Sequence, residues 1–245
     1  MSETANLGST PAEGFAVRLR KATSAVHTRA EKTVFIRGFL RGTATRSSYT
    51  RLLAALYPIY NVMEEETRRC AERDILVRRF CFPELGRTQA LERDLCFLAG
   101  PRWAKLIPTM PESRAYAERI HAVAESDPVR LVGHLYTRYM GDLSGGQILA
   151  RIAERSLGLG PGAGLDFYDF GPAVNIPEMK ERFRARLDEV GAQSEDAGAA
   201  IIDEAGIAFR HNIAIFEALK GNAFMSFFRN LPLPLVRAQR LSAAL

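Results

Sequence analysis

Apolar residues recur at helical spacing along most of this chain, and this periodicity limits the possible folds more than any other feature. Phe15, Leu19, Ala22 and Val26 follow one another at intervals of four, three and four residues, which places them on one helix face. No stretch of alternating apolar and polar residues predicts a β-strand, and no internal repeat is found. The sequence therefore predicts one all-α domain built from several packed helices.

Capping and breaking residues predict where these helices begin and end. Thr10-Pro11 and Glu13 form a capping box, with proline at the first helical position. Pro58 interrupts the apolar face that follows Thr45. Because an interior proline costs about 3 kcal/mol and kinks or ends a helix, we expect a kink there. The predicted helices include 11–33, one that starts at Thr45, the longest at 127–157, a basic one at 177–190 and the last at 194–219, with a glycine-rich loop at 158–164.

Charge and cysteine usage narrow the class of protein. The formal charge of +5 and the sequence pI of about 9.3 favour acidic partners without choosing among nucleic acid, an anionic ligand, an acidic protein or an anionic membrane. The three cysteines are Cys70, Cys81 and Cys96, and none lies in a C-x-x-C pair. A disulfide framework or zinc site is therefore not expected, and free thiols suit a cytoplasmic location.

Neither end of the chain predicts a membrane-spanning segment. The N-terminus lacks the apolar region of a secretory signal. Residues 223–236 are rich in apolar side chains, but Arg229, Pro232 and Pro234 interrupt them, and a spanning helix needs roughly 20 consecutive apolar residues. We expect no transmembrane anchor, and leave open a weak surface-binding role for this tail.

His27 lies on the first predicted helix with acidic and basic neighbours one turn away. Arg20, Ser24, His27 and Glu31 share one face. A neutral imidazole is a good axial ligand for heme iron, and Glu31 could accept its other ring N–H directly or through water. A surface histidine with a helix salt bridge explains the same spacing. We assign His121, His134 and His211 structural roles, and His134 and His211 have no acidic residue four positions on.

Three closely spaced glycines, Gly141, Gly145 and Gly146, lie inside the longest predicted helix. Apolar periodicity continues on both sides of them, and each interior glycine costs about 1 kcal/mol relative to alanine. A flat ligand against bare backbone would account for them, as would a bend that lets the helix flex over that ligand. The alternatives are a loop, or close packing of two helices through Gly141 and Gly145. No phosphate-binding motif occurs here.

The same segment carries groups that could move protons. Asp142 follows Arg138 by one turn, so the two side chains can pair. In a pocket, the Asp142 carboxylate and the Tyr136 hydroxyl could hold ordered water that delivers protons. Since no histidine falls within 141–146, water-mediated delivery is favoured over direct histidine catalysis.

Two later helices offer a basic face and an apolar face. Lys180 and Arg184 lie four residues apart, where like charges become useful if they bind an anion such as a carboxylate. Phe209, Asn212 and Phe216 share a face of the last helix and could line an apolar wall with one polar group. A solvated basic face and an ordinary core stripe are the competing explanations.

Taken together, these segments resemble the heme oxygenase family. YTRYMGDLSGGQ at 136–147 is similar to its signature, and VHTRAE around His27 also matches. MEEE at 63–66, GPRW at 100–103 and FRHNIAIFEAL at 209–219 match in the family's order. The resemblance covers about residues 19–220.

The resemblance implies a role for each candidate residue. His27 would be the axial ligand of heme b, with Glu31 as its hydrogen-bond partner, and heme would lie between the first helix and a glycine-kinked distal helix. Asp142 would organise distal water, with Tyr136 and Arg138 in the same network. The remaining implied contacts are those of the distal backbone (Gly141, Gly145, Gly146), the propionates (Arg20, Lys180, Arg184) and the pocket wall (Phe209, Asn212, Phe216).

The resemblance also implies the reaction and its partners. Heme would be both substrate and prosthetic group, with O2 as co-substrate and with biliverdin, carbon monoxide and iron as products. Electrons would come from a ferredoxin or an NADPH-dependent flavin reductase, and we expect a monomer. Residues 1–10 would be a flexible N-terminus, 11–220 the heme oxygenase domain and 221–245 a tail without an anchor.

Two rival functions and three departures qualify this interpretation. A non-catalytic heme carrier on the same scaffold would leave the ring intact. A basic helical module for nucleic acid would need arginine-rich clusters or aromatic platforms that are not found.

Ser24 stands where the animal enzymes have a basic residue, Pro58 is unexpected in its helix, and the tail differs from the microsomal anchor.

Overall fold

Helices account for all the regular structure in the described part of the chain. The computed structural model describes residues 13–160 and 162–220, and within these ranges no strand is found. The first six α-helices are α1 (Phe15–Glu31), α2 (Val34–Leu40), α3 (Arg46–Ala71), α4 (Ile75–Arg78), α5 (Thr88–Ala99) and α6 (Trp103–Leu106). They are followed by α7 (Pro111–Ser126), α8 (Leu131–Leu135), α9 (Gln147–Leu157), α10 (Ile176–Gln193) and α11 (Glu195–Leu219). The predicted all-α class is confirmed.

Two long helices organise the packing. On one side of the molecule α3 packs against α5 and α7, and on the other α11 packs against α1 and α8. Their apolar faces meet in one core, in which Leu19, Tyr60 and Ile201 are fully buried. Burial of such faces, more than helix propensity, stabilises helices of this length.

Observed helix ends agree with several capping predictions. The Thr45 hydroxyl accepts a hydrogen bond from the Ser48 N–H, and the Ser48 hydroxyl accepts one from the Thr45 N–H, which forms a capping box. Ser194 caps α11 by accepting from Ala197, and Gly158 ends α9 with a left-handed φ of 61°.

Other boundaries differ from the sequence prediction. Helix α1 begins at Phe15 after Gly14, while Thr10, Pro11 and the predicted N-terminal segment 1–10 lie outside the described residues. Helix α3 continues through Pro58 to Ala71, so the proline does not end it. The packing of this helix on α5 and α7 outweighs the local cost of proline.

The segment predicted as the longest helix is continuous but not uniform. A 3-10 turn at Pro128–Arg130 precedes α8, and two π-helical segments, Tyr136–Met140 and Asp142–Gly146, join α8 to α9. We call residues 131–157 the glycine helix. Because the chain stays helical through all three glycines, the loop alternative is wrong.

No described helix is long and apolar enough to cross a bilayer. The predicted tail, residues 221–245, lies outside the described residues. The cleft that the described helices form is the candidate site for a ligand.

Candidate functional site

A cleft lies between α1 and the glycine helix. Its larger part has a volume of about 610 Å³ and its smaller part about 240 Å³. Both parts are lined by His27, Gly141 and Gly145, so we treat them as one cleft. Its size is that of a site for a small organic molecule or cofactor.

His27 projects from α1 into this cleft. Its side chain is 53% exposed, and its Nδ1 lies 3.7 Å from Oε1 of Glu31, one turn further along α1. The imidazole meets the ring of Phe209 edge-on, with centroids 5.6 Å apart. With Nδ1 facing Glu31, Nε2 is the ring nitrogen that remains for a metal in the cleft.

The glycine helix presents bare backbone on the opposite wall. A Cβ atom built on Gly141 or Gly145 would meet no described atom within 4 Å, whereas one on Gly133 would lie 2.7 Å from the backbone nitrogen of Ala205. Gly133 is thus the glycine that allows two helices to pack closely. Gly141 and Gly145 open onto the cleft, so the helix-packing alternative is wrong for them.

Gly146 has a different neighbour from the other two glycines. A Cβ built on it would lie 3.3 Å from a ring carbon of Tyr168. Gly146 also lines the smaller part of the cleft. Its lack of a side chain therefore serves packing on Tyr168 as well as access to the cleft.

Asp142 is held in a buried network behind the bare backbone. The Tyr60 hydroxyl donates to Oδ2 of Asp142 and accepts from Nε of Arg138 at 3.0 Å. Nη1 of Arg138 donates to Oδ1 of Asn212 at 2.9 Å, and its Nη2 lies 3.6 Å from Oδ1 of Asp142. Asp142, Arg138 and Asn212 are each less than a tenth exposed. The predicted pairing of Arg138 with Asp142 is thus present.

Burial shifts the titration of this network. Desolvation raises the pKa of Asp142 to about 6, although the Arg138 charge and the Tyr60 hydrogen bond act in the opposite direction. Burial also raises the pKa of Tyr60 well above its ordinary value. Asp142 is therefore a carboxyl group that can exchange a proton near neutral pH.

Sequence reasoning missed Tyr60. It lies on the buried face of α3, where its spacing is that of a core residue. Its sequence separation from Asp142 is 82 residues. No local pattern signals a functional role at such a distance, and only the packing of α3 on the glycine helix brings the two groups together.

Tyr136 lies in another part of the cleft. It lines the larger cavity, whereas Asp142 lines the smaller one. Burial raises the pKa of Tyr136, against a hydrogen bond with Thr23 and the positive charges of Arg20 and Arg184. Asp142 therefore shares its direct network with Tyr60, Arg138 and Asn212, and Tyr136 faces the basic side of the cleft.

Basic residues from two helices edge the larger cavity. Arg20 and Lys21 of α1 and Arg184 of α10 line it, together with Ser24. Lys21 was not predicted, and its Nζ also pairs with Glu13 at 2.5 Å. Lys180, which sequence reasoning grouped with Arg184, is half-buried one turn away and does not line either part of the cleft.

Helix α11 supplies the apolar wall. Phe209 lines both parts of the cleft, and Asn212 and Phe216 line the smaller part. Phe216 also stacks on Phe35, with ring centroids 6.3 Å apart. The predicted face of α11 thus lies in the cleft, and Asn212 is committed to Arg138.

The other three histidines lie outside the cleft. His134 is fully buried, and its Nε2 lies 3.1 Å from Oε1 of Glu204. His211 stacks on Tyr116, with ring centroids 4.9 Å apart. Nδ1 of His121 lies 2.6 Å from Oε1 of Glu66. These contacts agree with the structural roles expected for them.

Comparisons with known proteins place this cleft in a family context. A family model described as heme oxygenase matches residues 13–218. The chain is 40% identical over 205 residues to heme oxygenase 1 of Nostoc sp., covering 84% of this chain and 85% of that one. It is also 40% identical over 203 residues to heme oxygenase 1 of Homo sapiens, covering 82% and 70%.

A solved structure shows the same fold. The crystal structure of heme oxygenase-1 from the cyanobacterium Synechocystis sp., in complex with heme, matches with a TM-score of 0.81 and 35% sequence identity. The match covers 89% of this chain and 97% of that one.

Proposed function

This chain belongs to the heme oxygenase family, and we propose that it holds heme b between His27 and the glycine helix. It acts as a heme oxygenase, which uses O2 and electrons to cleave heme to biliverdin, carbon monoxide and ferrous iron. One observation carries the assignment of the site: an imidazole on α1 faces the bare backbone of Gly141 and Gly145 across a single cleft.

The residues of the cleft fit a flat, iron-containing macrocycle. The wall at Gly141 and Gly145 has open space where any other residue would place a Cβ atom, so a planar ligand can approach the backbone closely. Phe209 and Phe216 offer apolar surface to the ring. Bound heme supplies the iron that activates O2 and the meso carbon that is oxidised.

We assign His27 as the axial ligand of the heme iron. Nδ1 is held toward Glu31 at 3.7 Å, a distance that one hydrogen-bonded water or a small side-chain adjustment can close. Such a partner fixes which nitrogen carries the proton and keeps the other neutral and basic for the iron. Glu31 is thus a positioning residue for His27.

The basic edge of the cleft orients the ligand. Arg20 and Arg184 line the larger cavity, and guanidinium groups bind carboxylates with directed, charge-assisted hydrogen bonds. We propose that they bind the two propionates, with Lys21 beside them and Lys180 at a longer reach. Tyr136, which faces the same two arginines, closes this side of the cleft.

The network at Asp142 controls protons on the glycine-helix side. The Asp142 carboxylate accepts from Tyr60 and lies beside Arg138, so its oxygens are fixed in direction. A carboxyl group with a pKa of about 6 can bind a proton and release it again near neutral pH. We propose that Asp142 holds a water molecule in the cleft and relays protons through it.

The electron donor is proposed to be an acidic protein. Arg20, Lys21 and Arg184 edge the opening of the larger cavity, and a positive patch of this kind accelerates docking of a negatively charged partner. A ferredoxin or an NADPH-dependent flavin reductase has the required chemistry. We further propose that residues 11–220 act as the catalytic domain, as a monomer in the cytoplasm.

A hemin turnover assay tests the assignment. Purified protein mixed with hemin should give a histidine-ligated heme spectrum, and reductant in air should bleach the Soret band and yield biliverdin. His27→Ala should abolish the ligated spectrum, while His121→Ala, at an exposed histidine outside the cleft, should leave it intact. Heme that stays intact for many minutes with a competent donor would identify a carrier and refute the enzyme.

A further inference from the structure

Helix α2 and the α9 part of the glycine helix repeat one surface pattern. In α2, Val34 is followed by arginine three and seven residues later, at Arg37 and Arg41. In α9, Ile148 is followed by arginine at the same two intervals. Residues at these intervals lie on one helix face, so each helix presents one apolar side chain beside two cations.

The apolar members of this pattern are exposed. Val34 is 56% exposed, Ile148 51% and Leu40 44%. Leu40 lies on the same side of α2 as Val34 and the two arginines, within about a third of a turn. Large apolar side chains that cluster on the surface mark an interaction site more often than an isolated one does.

The two helices form one continuous face. Helix α2 packs against α9, and Leu40 and Ile148 both line the smaller part of the cleft. Just beyond the C-terminal end of α2, a Cβ built on Gly42 would lie 3.9 Å from Cβ of Ser156, next to Arg155 of α9. We call this surface the α2–α9 face, defined by Val34, Arg37, Leu40, Arg41, Ile148, Arg151 and Arg155.

The cations of the α2–α9 face are available to an external partner. Arg37, Arg41, Arg151 and Arg155 are exposed, as is neighbouring Lys32. Within residues 13–160 and 162–220 none of these five side chains forms an ion pair. The acids nearest to these cations in the sequence are Glu31, which faces His27, and half-exposed Glu154. The local charge is therefore strongly positive.

We propose that the α2–α9 face docks on an anionic lipid bilayer. Exposed apolar side chains among unpaired cations match the interface of such a membrane, in which the apolar groups enter the acyl boundary and the cations meet lipid phosphates. No described helix spans a membrane, so this is reversible surface binding. The smaller part of the cleft, which shares Leu40 and Ile148 with this face, would then open beside the bilayer.

Vesicle co-sedimentation of the full chain without hemin tests the proposal. Vesicles of phosphatidylcholine with 30% phosphatidylglycerol, added to the assay at ~150 mM salt, should bind the protein at least about tenfold more tightly than vesicles of phosphatidylcholine alone. Binding should fall steeply as salt is raised. Equal partitioning to the two kinds of vesicle, or none to either, would overturn the proposal.

Matched variants locate the binding face. The double variant Arg37→Glu/Arg41→Glu should weaken binding to anionic vesicles by at least about tenfold. Arg102→Glu/Lys105→Glu changes the net charge equally on exposed residues of another helix and should leave binding within about twofold. Circular dichroism checks that each variant is folded. Equal losses of vesicle binding in the two double variants would show that only the net charge of the protein matters, and would refute a defined binding face.

A second pair of variants tests the apolar contribution. Val34→Ser should weaken the binding that persists at high salt, because salt does not screen the contribution of an inserted apolar side chain. Ile75→Ser removes a side chain of similar exposure, 58%, from α4 and should have no effect. An unchanged Val34→Ser variant would show that the face binds through charge alone and contradict insertion.

Discussion

At the scale of single residues, the chemistry depends on how deeply Asp142 is buried. Its carboxyl group is 6% exposed and is surrounded by Tyr60, Arg138 and, through the arginine, Asn212. Burial disfavours the ionised form and therefore costs stability at neutral pH. The ionised Asp142 carboxyl group, which the mechanism needs, thus costs stability that a neutral amide at this position would not cost.

The variant Asp142→Asn should separate stability from function. The pKa of Asp142 is about 6 in the folded chain, above the ordinary value of 3.8, so the folded protein binds more protons than the unfolded chain between about pH 4 and 6. Stability is therefore lost as pH rises through this window, on the order of 3 kcal/mol. The amide variant should escape that loss while failing to open the heme ring.

Thermal unfolding at pH 4.5 and 7.5 measures the first part. The Tm of Asp142→Asn relative to the parent should rise between the two pH values, whereas Asp203→Asn, at an exposed position, should show no such change. Biliverdin yield measures the second part. Normal yield from Asp142→Asn would remove this residue from proton delivery.

Tyr60 should act on catalysis through Asp142. Tyr60→Phe keeps the buried ring and removes the hydroxyl that donates to Asp142 and accepts from Arg138. We expect hemin affinity within about twofold of the parent and ring opening slower by at least about tenfold. Because Tyr60 lowers the pKa of Asp142, the midpoint of the pH–rate profile should also move upward. An unchanged profile would assign Tyr60 to packing alone.

These residues also show how far sequence reasoning reaches. Asp142 and Arg138 could be predicted because one helical turn joins them within a distinctive segment. Tyr60 could not, since its contact with Asp142 depends on how α3 meets the glycine helix. Lys180 and Tyr136 show the converse limit. The sequence grouped Lys180 with Arg184 and Tyr136 with Asp142, but Lys180 lines neither part of the cleft, and Tyr136 and Asp142 line different parts of it.

At the scale of elements, the glycine helix departs most from ideal geometry. Two π-helical segments, Tyr136–Met140 and Asp142–Gly146, flank Gly141, and the second contains Gly145 and Gly146. Such π turns often mark functional sites. Apolar periodicity predicted a continuous helix, and its continuity is confirmed. The wider turns could not be predicted, because the hydrogen-bond shift leaves the residue pattern unchanged.

Within one helix, alanine at Gly141 or Gly145 should affect the stability of the heme-free protein in the opposite direction to alanine at Gly133. At Gly145, an added Cβ meets no described atom, so Gly145→Ala should stabilise the heme-free protein by up to about 1 kcal/mol through helix propensity. It should weaken hemin binding, because the methyl group enters the cleft. Gly141→Ala should behave in the same way.

Gly133→Ala provides the contrast within the same element. Its Cβ would lie 2.7 Å from the backbone of α11, so the two helices must separate and the heme-free protein should melt several degrees lower. Differential scanning calorimetry and hemin titration measure the two effects. If Gly145→Ala destabilised the protein and left hemin affinity unchanged, the bare backbone would serve packing and not ligand approach.

At the scale of the whole molecule, a buried ionic cluster joins the helices behind the glycine helix. Glu204 of α11 is fully buried and accepts from Nε of Arg119 on α7 at 2.8 Å. Nε2 of His134 on α8 lies 3.1 Å from Oε1 of Glu204, and Nη1 of Arg130 lies 3.6 Å from Oε2. One carboxylate thus connects α11 with α7 and α8, and the residues of this cluster line neither part of the cleft.

This cluster makes the stability of the fold depend on acid. His134 and Arg119 hold the pKa of Glu204 at about 2 despite its burial, compared with 4.5 unfolded. A lowered pKa gives stability that is present above pH 4.5 and is lost as pH falls toward 2, on the order of 3 kcal/mol. Glu204→Gln should therefore lower Tm by several degrees at pH 7, since it leaves the guanidinium of Arg119 without its anion.

The pH dependence of Tm distinguishes stabilisation by the charge of Glu204 from stabilisation by packing alone. The Tm difference between Glu204→Gln and the parent should shrink as pH falls from 5 to 3, because the unfolded parent chain then binds a proton at Glu204 that the folded chain, with a pKa of about 2, does not bind. Glu181→Gln, at a carboxylate 81% exposed, should match the parent throughout. If the Tm of Glu204→Gln stayed below that of the parent by the same amount across this range, the charge of Glu204 would not stabilise the fold. These helices would then be held together by packing alone.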